Sequence, residues 1–432
     1  MNPEDFYAEA ISSTNDMPMP MDDDAPPIYA NDILESESWK DRLQMKGRQP
    51  APVMLNAAIA LRFAPEWKGV IAFDDFAQKV RVVKEPPIQG EWPRDWCDVD
   101  DTNTTIWLQQ QGIYVGRDTV SNVVVAISME KRVHAIRDYL NTVKWDGKNR
   151  ISLWLTEYFG VEDSDYTSSV GRMWLVSAVA RVMKPGCKAD YMLVLEGNQG
   201  IKKSTSLSAL CGKEFFCDHS PEIHNKDAQL QLSGSWIIEW AELDMLSRSE
   251  ITAVKSFISR EVEKYRLPYA RHTMTVPRQC VFAGTTNEMD WMKDPTGNRR
   301  FWPVWCTRGD FDRIARDRDQ IWAEAKHAYD NQVPWWPDDA DTAAAVHTAQ
   351  EDRLELDPWH EKIAEYVARL DRVSSYSILT DALKLEASRH GRPEALRVSR
   401  VLRALGFNKK KIRVNGSPVN GYERAEPIQG TF

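Results

Sequence analysis

The nine residues Gly197-Asn198-Gln199-Gly200-Ile201-Lys202-Lys203-Ser204-Thr205 carry the parts needed to grip a chain of phosphates. Glycines let backbone N–H groups approach phosphate oxygens, a lysine reaches the outer phosphates, and a hydroxyl can hold Mg²⁺. Four residues separate Gly197 from Lys202-Lys203-Ser204, and the usual pattern has glycine where Lys202 stands. Lys202 brings a Cβ and a second positive charge to that position. The bland alternative is a basic loop ahead of an ordinary helix. In the functional reading, turnover rests on Lys203.

Such a site needs carboxylates at the end of a second strand, to hold Mg²⁺ and polarise the attacking water. Glu239, Glu242 and Asp244 follow the apolar run Trp236-Ile237-Ile238. Glu242 is the first choice for base or water-positioner. Glu239 and Asp244 are candidate metal-shell partners beside Ser204, although Asp244 or Ser247 also suits a helix cap. Asn287 ends another apolar run and is a candidate sensor of the γ-phosphate, or a plain turn residue. Arg299 and Arg300 follow a Pro/Gly turn and could supply a positive charge to a neighbouring subunit's nucleotide, or form salt bridges within their own domain. Adjacent arginines point in different directions, so one finger is expected.

Between the carboxylates and Asn287 lies a basic stretch, with Lys255, Arg260, Lys264, Arg266, Arg271 and Arg278 interleaved with Tyr265 and Tyr269. Pro268 forbids a helix interior, which points to a hairpin or loop. Basic and aromatic side chains together suit a tracker of single-stranded nucleic acid; a solvated charged face is the competing reading.

These residues need elements to place them. The run Tyr191–Leu195 reads as a strand leading into the glycine loop, with a helix over Ser204–Leu210. Gly234–Trp240 and Val281–Asn287 read as buried strands, and helices are expected over Ile151–Phe159, Tyr166–Met183 and Arg248–Ser259. Strands alternating with helices predict a mostly parallel α/β sheet that binds ligands beyond its carboxyl edge. Residues 1–38 read as a disordered acidic tail, 40–130 as an α+β region, 131–185 as a helical lead-in and 186–340 as the core. Helices are expected over Val53–Arg62 and Ser121–Arg132, and Trp92–Trp96 is read as packing more than base stacking. After the core, which the loop Trp335–Asp338 closes, a linker rich in Ala and Asp leads to the last unit. The last unit, 358–424, reads as three helices and an Asn-Gly hairpin, hence winged-helix-like, with Arg397, Arg400, Lys409, Lys410 and Lys411 as candidate DNA contacts. A helical cap with solvated charges is its alternative.

The net charge of -9 argues against a uniformly basic surface, yet the segment from Gly391 to Arg424 is locally basic. No run of eighteen apolar residues suggests a membrane span, and no export signal is legible. The six cysteines lack a C-x-x-C pair, so reduced thiols in a cytoplasm are expected and zinc is not.

Five motifs occur in one order: Gly197 to Thr205, Glu239-x-x-Glu242-Leu243-Asp244, Tyr265-Arg266-x-Pro268-Tyr269 with Arg271 and Pro277-Arg278, Gly284-Thr285-Thr286-Asn287, and Gly297-Asn298-Arg299-Arg300-Phe301-Trp302-Pro303-Val304. Together with Arg137–Leu140 and Trp145-Asp146-Gly147 they resemble the virulence-associated protein E family, strongly over about 130 to 335. The resemblance implies a superfamily 3 helicase-like motor on an AAA+-type P-loop core, using ATP and Mg²⁺. It further implies a ring, most often a hexamer, acting on single-stranded or forked DNA in replication of a phage or mobile element. Lys203 and Ser204 then match the nucleotide-binding pair, Glu239 and Glu242 the acidic motif, and Asn287 the sensor; at Arg299 and Arg300 a trans arginine is plausible. The region before 130 carries no obvious catalytic primase signature, so primer synthesis is not expected of it, and a separate primase is a possible partner. The alternatives are an ATP-switched DNA-binding protein without motor action and, more weakly, a small-molecule P-loop kinase.

Overall fold

The computed structural model describes residues 38–221, 232–265, 273–289, 291–292, 298–353, 358–386, 390–414 and 417–424. The acidic tail expected over 1–38 falls outside this set but for its last residue. Two compact units meet in the sequence at Val133 and His134.

In the first unit, strands β1 (Met45–Lys46) and β2 (Gln49–Pro50) form a small hairpin. Strands β3 (Ile71–Asp74), β4 (Lys79–Val82), β5 (Arg94–Asp95) and β6 (Arg132–Val133) form a sheet in the order β5-β4-β3-β6. Helices Met54–Phe63, Asp98–Gln110 and Arg117–Ser128 contribute to its core around Trp67 and Trp107. The last helix ends four residues before the expected Arg132, because Arg132 and Val133 pair with β3 as a strand. Trp96 packs against this core and donates to Asp101, whereas Trp92 is half exposed.

The second unit is built on a five-stranded, all-parallel sheet. Its strands are β7 (Met192–Glu196), β8 (Phe216–Cys217), β9 (Ile237–Trp240), β12 (Val281–Thr286) and β13 (Phe301–Trp305), ordered β13-β7-β12-β9-β8. β7, β9 and β12 are buried throughout, as expected of strands covered by helices on both faces. Helix Asp165–Met183 is capped by Ser164 and buries Trp174, whose indole donates to the Phe282 carbonyl at 2.9 Å. Helix Phe311–Asp330 packs on both this helix and the one after the glycine loop, with Trp322 stacked on Trp236 at 4.1 Å.

Between β9 and β12 rises an antiparallel hairpin of β10 (Val262–Tyr265) and β11 (Met274–Pro277). The stretch read as an Ala/Asp-rich linker is a helix, Ala340–Glu351, docked on the sheet's edge strand β13. Gln350 donates to the Phe301 carbonyl at 2.7 Å, and Arg353 reaches the buried Glu196 at 3.1 Å. The core therefore extends through Arg353. Composition misled here because alanine is both a linker residue and the best helix former.

The C-terminal residues form helices His360–Val367 and Arg392–Ala404, a short helical segment over Ser375–Ala382, and strands β14 (Arg372–Ser374), β15 (Phe407–Val414) and β16 (Ser417–Arg424). The sheet order is β14-β16-β15, with a core of its own around Ile363, Leu402 and Phe407. Strands β15 and β16 are longer than the expected strand-turn-strand at 411–416, and residues 415–416 lie outside the described set.

Candidate nucleotide site and its neighbours

The glycine loop leaves β7 at Glu196 and enters helix Lys203–Cys211. Gly197 has φ 142° and sits so close to the Cys306 carbonyl that a Cβ would stand 2.3 Å from it. Lys202 adopts φ 70°, the left-handed conformation that a glycine would take at this position. Lysine therefore preserves the backbone path of the usual motif at an energetic cost, and its departure is one of side chain, not of geometry. Gly309 was not singled out from sequence. A Cβ there would meet the Ile201 and Lys202 carbonyls at 2.6 and 2.8 Å, so its lack of a side chain lets the segment after β13 press on the loop from behind.

Lys203 is 8% exposed, and its Nζ donates to the carbonyls of Gly197 (2.5 Å) and Asn198 (3.2 Å) and to Asn287 Oδ1 (3.3 Å). Burial lowers its pKa from the ordinary lysine value, while Cys306, Glu239 and Asp244 act to raise it. Strand register explains the meeting with Asn287. β12 lies between β7 and β9, with Thr286 opposite Glu196, so the next residue of each strand stands at the same edge. The amide of Gly197 donates to the Thr286 carbonyl at 3.2 Å and fastens the two ends together.

Glu239 is 1% exposed on β9 and accepts from Ser204 Oγ at 2.7 Å and Thr285 Oγ1 at 2.6 Å. Its hydrogen-bond partners among the described residues are thus neutral hydroxyls, a setting suited to a carboxylate that shares a cation with Ser204. Asp244 accepts from Thr286 Oγ1 at 2.6 Å and does not cap the next helix. Ser247 does that, in a reciprocal box with Glu250. Glu242 is exposed, with the left-handed φ of 54°. Strained non-glycine backbone of this kind clusters at functional sites.

The expected metal set of Ser204, Glu239, Glu242 and Asp244 does not converge as one cage. Among the described residues no group of three or more His, Cys, Asp or Glu is arranged to hold a metal ion. Ser204 and Glu239 are the adjacent pair. Mg²⁺ commonly takes only one or two protein ligands, with phosphate oxygens and water completing its shell.

The other candidates separate on inspection. Arg299 is exposed, whereas Arg300 donates to Ser259 Oγ at 2.6 Å and stands 4.0 Å from Asp190. Lys255, expected on a DNA-facing surface, is instead 4% exposed and donates to Asn298 Oδ1 at 2.8 Å. It lies on the inner face of helix Arg248–Ile258, which amphipathic spacing turns toward the core. Tyr265 is likewise buried, with its hydroxyl on Ser233, and is no stacking platform. Arg278 is buried against Glu263 and the carbonyls of Phe257 and Ile258. Lys264 is exposed on the hairpin. Arg266, Tyr269 and Arg271 lie outside the described residues.

Among the C-terminal residues Lys409 and Lys411 are exposed on β15. Lys410 pairs with Glu423, which also accepts from Arg372 at 2.7 Å. Arg397 stands over the Trp359 ring, 4.0 Å from its centroid. The Arg400 side chain lies outside the described set. All six cysteines are free, and burial pushes the Cys211 thiol up to about 12. Among the described residues no helix is long and apolar enough to cross a membrane.

Similar solved structures include the apo A form of the NrS-1 C-terminal region, at 11% identity and TM-score 0.46, covering 83% of this chain and 97% of that one. A second apo structure of the same region has 11% identity and TM-score 0.47, covering 82% and 96%. No curated protein sequence matches the chain. Residues 140–355, half of the chain, match the virulence-associated protein E-like domain, and they hold the glycine loop, the acidic strand, Asn287 and both arginines. The chain belongs to the virulence-associated protein E-like family.

Proposed function

We propose that this protein is an ATP-hydrolysing helicase or translocase that acts on single-stranded or forked DNA during replication of a phage or mobile element. The observation that carries the nucleotide reading is the convergence of Lys203, Ser204, Glu239 and Asn287 where three parallel strands end. Insertion of β12 between β7 and β9 supports the AAA+-type assignment, because it brings a polar sensor between loop and acid.

In this mechanism the loop amides and Lys203 hold the phosphates of ATP, and Asn287 sits where it can report the γ-phosphate. Ser204 and Glu239 would hold Mg²⁺, which supplies charge neutralisation to the phosphates when bound. Glu242, on its strained exposed turn, accepts the proton of the attacking water. Water oxygen bonds to the γ-phosphorus, the bond to the β–γ bridging oxygen breaks, and ADP and phosphate leave. Arg299 from a neighbouring subunit offsets charge developing in that step, which requires an assembly of adjacent copies; the family resemblance favours a ring, most often a hexamer. Lys264 on the hairpin and Lys409 and Lys411 on β15 are the DNA contacts that the exposed surface supports. A separate primase is one candidate partner for such a motor.

Turnover by the full chain is expected to rise on adding single-stranded DNA. Lys203→Ala should cut it by about 10²-fold or more with an unchanged melting temperature. Hydrolysis indifferent to DNA, without strand displacement on a fork, would rule out the motor. A second reading, an ATP-ordered DNA-binding switch, is favoured by the C-terminal unit, whose three helical segments and three-stranded sheet suit a winged-helix-like duplex binder.

A further inference from the structure

Helix Arg248–Ile258 begins just past the acidic loop and ends beside the two arginines. Lys255 lies on its buried face, with Nζ on Asn298 Oδ1 and 5.8 Å from the centroid of the Phe301 ring. Asn298 is itself 8% exposed. One residue beyond the helix, Ser259 Oγ receives the Arg300 Nε–H at 2.6 Å, with Asp190 behind it. The residues on both sides of Arg299 are therefore held inward, within one 3₁₀ turn, and Arg299 is left exposed.

Burying an ammonium group is costly, and an aliphatic side chain would fill the same space more cheaply. What lysine supplies and leucine would not is a directional bond from the helix to the turn. We propose that Lys255 and Ser259 are positioning residues that clamp the Asn298-Arg299-Arg300 turn and aim Arg299 at the nucleotide of a neighbouring copy of this chain. The proposal rests on the ATPase reading above. It also links the arginine turn to the acidic loop of the same subunit, because one helix lies between them. Asp244, four residues before its start, meets Thr286 on the sensor strand, and Lys255 and Ser259, in its last turn and just past its end, hold the arginine turn.

The test uses full-length chains carrying Lys255→Met, Ser259→Ala, Arg299→Ala or Lys203→Ala, assayed alone and in mixtures. Lys255→Met is expected to lower kcat by about 10²-fold, and Ser259→Ala by about tenfold, with affinity for a fluorescent ATP analogue kept within about twofold. The decisive readout is complementation. A subunit with a displaced arginine but an intact loop, placed beside a Lys203→Ala subunit with an intact arginine, recreates one complete site. Mixing Lys255→Met or Ser259→Ala with Lys203→Ala should therefore restore turnover above that of either variant alone. A residue needed only for its own subunit's site gives no such gain.

If Arg299→Ala regains activity in the mixture while the Lys255 and Ser259 variants do not, the clamp is overturned and the ATPase reading stands. If Arg299→Ala also fails to regain activity, the trans arginine itself is wrong. Ser259→Ala removes no core volume, so it decides the question alone should Lys255→Met melt early. Full turnover in both clamp variants overturns the proposal as well.

Discussion

At the scale of single residues, Lys202 carries the clearest lesson. The motif asks for glycine because the chain must turn through positive φ before the helix, and the lysine obeys that demand at φ 70°. A left-handed L-residue costs about 1–2 kcal/mol, part of which glycine returns through its greater freedom when unfolded. Lys202→Gly is thus expected to stabilise the fold by about 0.5–1 kcal/mol, read as a higher denaturation midpoint, with turnover preserved. A lower midpoint would mean that the Lys202 side chain makes interactions worth more than the strain.

At the scale of elements, the informative piece is helix Ala340–Glu351 and the pair at its end. Glu196 is fully buried at the foot of the glycine loop and accepts from Trp291 at 2.8 Å and Arg353 at 3.1 Å. Its pKa is raised above the ordinary glutamate value, burial being the largest cause, with Arg353 and the Trp291 hydrogen bond opposing it. A carboxyl whose folded pKa is raised contributes stability below its unfolded value and loses it as pH climbs through the folded value. Denaturant melts should therefore show wild type losing stability relative to Glu196→Gln as pH rises from 4.5, the ordinary value, toward neutrality. A difference that stays flat with pH would mean that the ion pair with Arg353 compensates the burial. Breaking that pair is the harsher change: Arg353→Met leaves a buried carboxylate without its cation and should cost about 3–5 kcal/mol.

At the scale of the whole molecule, the proposed DNA binding by an acidic protein would have to come from local fields. Lys409 and Lys411 are exposed on β15, while Lys410 between them is already paired with Glu423. Lys409→Ala and Lys411→Ala should each weaken single-strand binding and lower the slope of log K against log salt by about 0.7. Lys410→Ala should do less. Equal effects from all three would show that Glu423 does not hold Lys410 in the complex.

Much of the core was legible in advance, because its strands are short apolar runs that end in chemically distinctive residues. The strand leading into Gly197 and those carrying Glu239 and Asn287 follow from that pattern, as does the helix after Lys203. What sequence could not order was the trio of carboxylates. All three lie within six residues, yet Glu239 faces Ser204, Asp244 faces Thr286 and Glu242 is exposed. The direction of a side chain depends on strand pleat and on the turn that follows, and neither is written in spacing alone.

The sequence alone determined the residue types of the glycine loop and its companions, since Gly, Lys, Ser, Glu and Asn at those intervals are local chemical facts. Tertiary structure alone decided which of them meet. It brought Lys203 to Asn287 from 84 positions away, and buried Lys255 where a basic stretch suggested a DNA-facing charge. It also turned an apparent linker into the helix that locks Glu196. The physical reason is that register and burial are cooperative properties of the packed sheet. A charged residue reads the same in sequence whether it faces water or a buried asparagine.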